Sequence, residues 1–220
     1  MKTIISRGFI LVSIMALLVG CGKSTGRTLT SATGSIYECL VVMNEEPLTQ
    51  EQLNTVAKLS LVNEASGYTE PVTTTYDLVE AIMSADMPCM PQVEPYFRLT
   101  QVATAQFDDM FKPTRNILFV DINPQKYTQL KTKVSNDYWS TPQAICRIQT
   151  PSQEEFVSYW LEHGEEVRDW FVNQEIKRQT KFYRASTNKE ARAILQQEGY
   201  DMLIPEDYMV IMDTVLGGAT

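Results

Sequence analysis

The sequence has a single histidine, His163, and this scarcity excludes several kinds of site. A zinc site made of several histidines, or a mechanism that uses a histidine pair, cannot be assembled from this chain alone. The chain also lacks a Gly-x-Ser-x-Gly elbow, a glycine-rich phosphate loop, a dinucleotide-binding fingerprint and a Cys-x-x-Cys pair. Enzyme classes that depend on these motifs are disfavoured, and we expect no metal and no cofactor.

Positive charge is the second shortage. The chain has 19 lysine and arginine residues against 27 aspartate and glutamate residues, a formal net charge of −8. An acidic surface repels nucleic acid and anionic lipid head groups, so we expect no nucleic-acid partner. Apolar residues make up 44% of the chain, which is enough to build a globular core.

Long apolar runs are scarce, and the longest lies at the N-terminus. Lys2 and Arg7 precede an almost wholly apolar run at residues 9–19. A membrane-spanning helix needs about 20 apolar residues, so this run is too short to be a permanent anchor. The layout is that of a secretory signal, with an N-terminal transmembrane helix as the less favoured alternative.

The apolar run ends in a motif that resembles the lipobox of bacterial lipoproteins, Leu18-Val19-Gly20-Cys21. The resemblance implies that residues 1–20 are a cleaved signal peptide and that Cys21 carries the lipid that holds the mature protein on a membrane. Residues 21–34, mostly small and polar, are then predicted to be a flexible tether. The domain proper is predicted to occupy residues 35–220.

Three further cysteines, Cys39, Cys89 and Cys146, cannot all pair within one chain. Cys39 and Cys146 lie in apolar runs, which favours buried free thiols over a disulfide.

Alternating elements predict an α+β fold, a two-layer sandwich in which helices pack on one face of a mixed or antiparallel sheet. The predicted strands are residues 36–43, 97–104, 115–122 and 143–149, with one more within 201–215. The predicted helices are residues 49–65, 76–84, 124–134, 152–182 and 187–198. Three prolines within residues 88–95 exclude regular structure there.

The long helix at 152–182 carries many acidic residues, and helical periodicity decides what they do. At 100° per residue the six acids between residues 154 and 169 fall on one side, whereas Phe156, Trp160 and Phe171 fall on the other. We therefore interpret the acids as a solvated face and not as a calcium site. His163 lies at the edge of the apolar stripe, where a packed or capping role is favoured.

The remaining candidate residues are polar or aromatic side chains beside apolar or kinked segments. They are Gln92 and Glu94 in the proline-rich loop, Arg115, Asn116 and Asp121 around the strongest predicted strand, and Trp139 with Gln143.

Most of these candidates lie in segments that resemble a family of Bacteroidetes lipoproteins known only as a domain of unknown function. The similar segments are 35–38, 90–97, 115–118 and 137–143. The resemblance implies an envelope lipoprotein and implies no activity. It also implies that relatives continue past residue 220 and that a C-terminal part of the domain is missing from this sequence.

Two functional hypotheses follow. The first is a non-enzymatic envelope protein that binds a protein or glycan partner. The alternative is a periplasmic hydrolase that uses Glu94 or Asp121 beside Arg115, which requires these side chains to converge in one pocket. Residues 22–27 contain two cations and no acid, which by analogy with lipoprotein sorting signals predicts the periplasmic leaflet of the outer membrane, with surface display as the competing reading.

Overall fold

A computed structural model of the protein describes residues 28–63 and 68–209. The predicted signal peptide and Cys21 lie outside these residues. The strands are β1 Thr30–Ser31, β2 Glu38–Val42, β3 Ser60–Asn63, β4 Tyr68–Pro71, β5 Arg98–Val102, β6 Asn116–Ile122, β7 Lys131–Asn136, β8 Ser140–Thr141 and β9 Ala144–Thr150. The helices are α1 Gln50–Val56, α2 Thr75–Met83, α3 Gln153–Ala185 and α4 Lys189–Gln197, with a 3₁₀ turn at Thr104–Gln106.

Five strands form the central sheet in the order β5-β2-β6-β9-β7. The first four run parallel, and β7 pairs antiparallel with β9. The centre of β6 is apolar on both sides because a parallel strand inside a sheet is covered on both faces, and Ile117 and Leu118 are both fully buried. The predicted mixed sheet is therefore confirmed.

The helices α1 to α3 cover one face of this sheet, as the predicted α+β architecture requires. Phe156, Trp160 and Phe171 of α3 pack with Leu118 and Val120 of β6 in the main core. The indole Nε1 of Trp160 also donates a hydrogen bond of 3.0 Å to the carbonyl of Leu78 in α2. None of the described helices is long and apolar enough to cross a membrane.

The opposite face, which we call the open face, has a second and smaller apolar cluster. It contains Leu40, Val42, Val102, Ile117 and Ile145, with Phe107, Phe111, Phe119 and Trp139 packed against them. No residue of a described helix belongs to this cluster, which is covered by loop side chains and by Phe119 of β6.

Side-chain caps fix where the helices begin. The predicted capping box of Thr49 and Gln52 opens α1, and Thr74 with Asp77 forms a second box at α2. The prediction for the last helix was partly wrong, because the cap is Asn188 and not Thr187. Gly199 ends that helix as predicted, with a φ of 85° that favours glycine.

Two predicted helices are wrong in whole or in part. The helix predicted at 49–65 stops at Val56, and the chain then forms the antiparallel pair β3 and β4. The helix predicted at 124–134 is absent. The side chain of Asn123 accepts hydrogen bonds from the amides of Gln125 and Lys126 and so closes a turn, after which β7 pairs with β9 along its whole length. Residues 201–209 form no strand, and 210–215 lie outside the described residues.

The predicted tether is also too long. Residues 30–31 pair with β8, and Thr33 bridges to Thr114. The amide of Thr33 donates to the carbonyl of Pro113 at 2.9 Å, and its carbonyl accepts from the amide of Arg115 at 2.9 Å. These small polar residues have no apolar pattern that would predict a strand, but their backbone groups pair with the end of the sheet.

The predictions for the cysteines and the acidic helix face are confirmed. Cys39 and Cys146 are buried free thiols, and Cys89 is an exposed one. The six acids of the predicted face, between residues 154 and 169 of α3, are exposed, whereas its aromatic stripe is buried. His163 is partly exposed, with its Nδ1 3.2 Å from Glu166 Oε2 and its ring 4.9 Å from that of Tyr159.

Candidate functional site

The candidate residues predicted from the sequence fall into separate parts of the fold. Gln92 and Glu94 lie in the irregular proline-rich loop, where Gln92 Nε2 donates a hydrogen bond of 2.9 Å to Glu94 Oε1. They line a shallow hollow of about 470 Å³ together with Tyr37, Met87 and Arg98. The two side chains are thus hydrogen-bonded to each other at the surface of the protein.

Arg115 and Asn116 do come together, around a residue that the sequence analysis missed. Arg115 Nε donates to Glu175 Oε1 at 2.8 Å, and Arg115 Nη2 donates to Oε2 at 2.6 Å. Asn116 Nδ2 donates to Glu175 Oε1 and to the carbonyl of Glu38, at 2.8 and 2.9 Å. Arg178 Nη1 completes the cluster with bonds of 2.8 Å to Glu175 Oε1 and Asn116 Oδ1.

This cluster joins the start of β6 to α3 with buried charges. The Glu175 side chain is 0% exposed. Burial by itself raises the pKa of a carboxyl group, but the hydrogen bonds from Arg115 and Asn116 and the charges of both arginines outweigh it and leave the pKa of Glu175 lowered. Burial lowers the pKa of Arg178, against the opposing effect of Glu175. The cluster is internally bonded, so Arg115 and Asn116 hold the fold together.

Periodicity contained a signal for Glu175 and Arg178. Counting about 100° per residue from Trp160, Arg178 falls near 0° and Glu175 near 60°, inside the apolar stripe of α3. A charged pair at such positions predicts a buried ion pair.

Asp121 lies on the open face, away from this cluster. Its Oδ2 accepts hydrogen bonds from Lys126 Nζ at 2.8 Å and from the Tyr127 hydroxyl at 2.5 Å. Burial raises the pKa of Asp121, but these two donors outweigh burial and the pKa is lowered. The carboxylate is ionised and paired, which does not suit it to act as a general acid or base near neutral pH.

The convergence that the hydrolase hypothesis requires is not found among the described side chains. Arg115 directly precedes β6, and Asp121 lies six residues further along, or about 20 Å at 3.3 Å per residue. Arg115 bonds Glu175 on the helix side, whereas Asp121 shares the open face with Ile117 and Phe119. Glu94 lies in a third place. No group of three or more metal-ligating side chains occurs in the described part of the chain either.

Gln143 positions Trp139. Gln143 is buried; its Oε1 accepts from the Trp139 amide at 2.9 Å, and its Nε2 donates to the carbonyls of Lys112 and Thr114 at 2.6 and 2.8 Å. Asp137, with a φ of 52°, accepts from the Gln143 amide at 2.9 Å. These bonds fold the 137–143 segment so that Trp139 packs on the open face.

Trp139 belongs to an aromatic group that surrounds a second residue missed by the sequence analysis, Arg147. The Trp139 ring centroid is 5.7 Å from that of Phe107 and 6.2 Å from that of Phe119. The guanidinium carbon of Arg147 lies 4.4 Å from the Phe119 centroid, 5.2 Å from that of Trp139 and 5.6 Å from that of Tyr138. We call Arg147 with Phe119, Tyr138 and Trp139 the arginine cage.

The arginine cage leaves the charge of Arg147 without a carboxylate among the described residues. Burial lowers the pKa of Arg147, and the only opposing influence is Tyr138. None of its nitrogen atoms is both sealed from solvent and without a partner, so they remain accessible. Of all the candidates, this is the place where a bound anion would find an unsatisfied cation.

Comparison with known proteins identifies a family whose description assigns no activity. The family described as "Domain of unknown function (DUF8532)" matches residues 52–184, more than half of the chain. The matched range includes the arginine cage and Glu175. No curated protein and no solved structure matches the chain.

Proposed function

The chain belongs to the DUF8532 family, whose description assigns no activity, and we propose from its own geometry that it is a lipid-anchored binding module of the cell envelope. Its binding surface is the open face of the sheet. In this proposal it is a non-enzymatic protein that holds a macromolecular partner close to a membrane.

The observation that carries the proposal is the arginine cage. Tyrosine, tryptophan and arginine are the residue types that dominate binding energy at protein interfaces. Here all three lie together on a sheet face that no described helix covers, and Tyr138 is 53% exposed. Buried aromatic cores seldom hold an unpaired cation, because a charge that is removed from water needs a partner.

The state of the other candidates supports binding over catalysis. Arg115, Asn116 and Asp121 are all occupied by hydrogen bonds within the protein. Gln92 and Glu94 bond each other on an exposed loop. Each group therefore has a structural partner, and the cage is the exception.

The anchor is part of the proposal. The resemblance to Bacteroidetes lipoproteins, with the Cys21 motif, supports attachment through lipid to the periplasmic leaflet of the outer membrane. The paired backbone begins at Thr30, nine residues after Cys21, and a fully extended chain of that length reaches about 30 Å. The domain would therefore lie close to the bilayer.

Site-specific photocrosslinking in intact cells tests the proposal. Tyr138 is replaced by a photoreactive phenylalanine derivative, and the matched control carries the same group at Phe182, an exposed aromatic residue of α3. We expect a discrete crosslinked partner from position 138 and none from position 182. Equal crosslinking at both positions, or none at 138, would contradict a binding role for the open face.

A further inference from the structure

Two like charges stand directly opposite each other on the open face. Arg147 of β9 is the cross-strand partner of Lys133 in β7, and both side chains project from the same side of the sheet. Like charges in directly opposed positions destabilise a sheet. The arrangement therefore costs stability unless an anion is shared between the two cations.

Arg98 and Lys126 of this face have acids beside them, whereas Lys131 of β7, opposite Gln149 and two residues from Lys133, has none among the described residues. Arg98 of β5 stands opposite Glu38 of β2, and Lys126 bonds Asp121 at 2.8 Å. Although the chain has 27 acidic residues, none of those described reaches Arg147. The unpaired charge is thus confined to one part of the face.

Protection of the sheet edge against unwanted pairing explains Lys133 but not Arg147. β7 is the outermost strand of the sheet, and an exposed lysine such as Lys133 on an edge strand hinders unwanted pairing. Arg147 lies on the next strand inward and is partly buried, so it has no such role.

The surroundings of Arg147 indicate what kind of anion would fit. Aromatic rings hold the guanidinium and remove part of its water, which strengthens a hydrogen bond to a carboxylate. A planar fork of donors matches a planar carboxylate, and lysine lacks that match. The loop that carries Phe107 also exposes Met110, which is 72% accessible and offers an apolar contact beside Asp108 and Asp109, and Asp109 is paired with Lys112.

We propose that the open face binds an acidic, partly apolar segment of a partner protein, with one of its carboxylates on Arg147 and Lys133. This inference rests on the proposed function and names the chemistry of the partner. The cage aligns the guanidinium, and the exposed Tyr138 and Met110 contact the apolar side chains of the segment.

Fluorescence anisotropy with a designed probe tests it. The probe is a labelled peptide in which glutamate alternates with leucine, and the matched probe has glutamine in place of glutamate. The protein is the full chain from residue 21, kept soluble by Cys21→Ser. We expect the glutamate peptide to bind at least 10-fold more tightly than the glutamine peptide, and the difference to shrink as salt is raised.

Four variants locate the binding. Arg147→Met keeps an unbranched apolar chain inside the cage and should weaken binding of the glutamate peptide at least 10-fold, while Arg147→Lys should weaken it less. Lys133→Gln should weaken it about 2- to 5-fold, as an exposed charge contributes less than a partly buried one. Arg98→Gln, on the same face but opposite Glu38, should leave binding unchanged.

Stability separates a binding role from a structural one. If the cage serves a ligand, Arg147→Met removes an unpaired, partly buried charge and leaves the melting temperature equal or higher. A fall of many degrees would make Arg147 a structural element and overturn the proposal.

In the binding experiment, equal affinity for the two peptides would also overturn the proposal, as would a preference for a carboxylated polysaccharide over the glutamate peptide. If the peptide fails while position 138 still crosslinks a partner in cells, the acidic chemistry is wrong and the binding role stands.

Discussion

Glu175 combines complete burial with two arginine partners, and stability depends directly on these contacts. A buried ion pair contributes modestly over an apolar replacement, but removing one partner leaves charge uncompensated inside the protein. At Glu175 two cations would be left, Arg115 and Arg178.

We predict that Glu175→Ala lowers the free energy of unfolding by about 3–5 kcal/mol. Glu175→Gln should cost less, because an amide keeps hydrogen-bonding capacity next to Asn116. Urea denaturation monitored by circular dichroism measures both. Glu165→Gln, an exposed position of the same helix, is the control and should change stability by less than about 0.5 kcal/mol.

The lowered pKa of Glu175 gives this contribution a pH dependence of definite sign. A carboxyl group whose pKa is lower when folded stabilises the native state above its unfolded pKa, which is about 4.3. The contribution is lost as pH falls through the folded pKa. The stability gap between wild type and Glu175→Gln should therefore be constant above about pH 5 and shrink below pH 4. A gap that widens in acid would contradict the ion-pair assignment.

Thiol reactivity tests the burial of the cysteines. Burial raises the pKa of the Cys146 thiol to about 12 and that of Cys39 further, whereas Cys89 is exposed on the proline-rich loop. In a Cys21→Ser chain at pH 8, maleimide should label one thiol in the native state and three in denaturant, as counted by intact mass. Rapid labelling of Cys146 without denaturant would show that its strand opens readily.

At the scale of elements, the contact between α2 and α3 depends on a glycine. A Cβ atom added at Gly164 would lie 2.9 Å from Ile82 Cδ1 and 3.1 Å from the Trp160 ring. Ile82 and the Trp160 ring are both buried, and the ring is held by its hydrogen bond to the carbonyl of Leu78. The helices can approach this closely only without a side chain at 164.

We predict that Gly164→Val lowers the free energy of unfolding by about 1–3 kcal/mol through overpacking. Ile82→Ala should be destabilising by itself, yet the double variant should lose less than the sum of the two single losses, since the smaller residue makes room. A strictly additive double-mutant cycle would place the strain elsewhere.

The elements that the sequence predicted well are those with a strong local pattern. The apolar centre of β6 and the 3.6-residue stripe of α3 led to correct assignments within a few residues. The stretch 124–134 has no such pattern, and the secondary structure that it adopts depends on pairing with β9, which lies later in the chain. Local propensity cannot report a partner that is distant in sequence.

The same limit of local sequence patterns explains which residues of the candidate site were predicted and which were missed. Arg115, Asn116 and Trp139 were found because polar or aromatic residues beside a strand are conspicuous. Their partners Glu175 and Arg147 come from other elements and become neighbours only through the strand order. Polar residues identified from the sequence were mostly structural, and the arginine cage forms only where three segments meet, namely β6, β9 and residues 137–143.

For the whole molecule, the pairing of residues 30–33 fixes where the chain leaves the folded domain. β1 lies beside β8, directly after the segment that carries Tyr138 and Trp139. A lipid on Cys21 would therefore hold the arginine-cage end of the sheet toward the bilayer. The proposed partner would then be bound in the narrow space next to the membrane.

Cys21→Ser tests this arrangement in cells. We predict loss of palmitate labelling and release of the domain as unprocessed or soluble protein, because Cys21 is the proposed site of the lipid. Labelling that survives the substitution would place the lipid on another residue.

For the wild type, proteinase K added to intact cells should leave the domain uncut until the outer membrane is ruptured, since residues 22–27 carry two cations and no acidic export signal. Digestion without rupture would instead place the domain on the cell surface, and the partner would then be sought outside the cell.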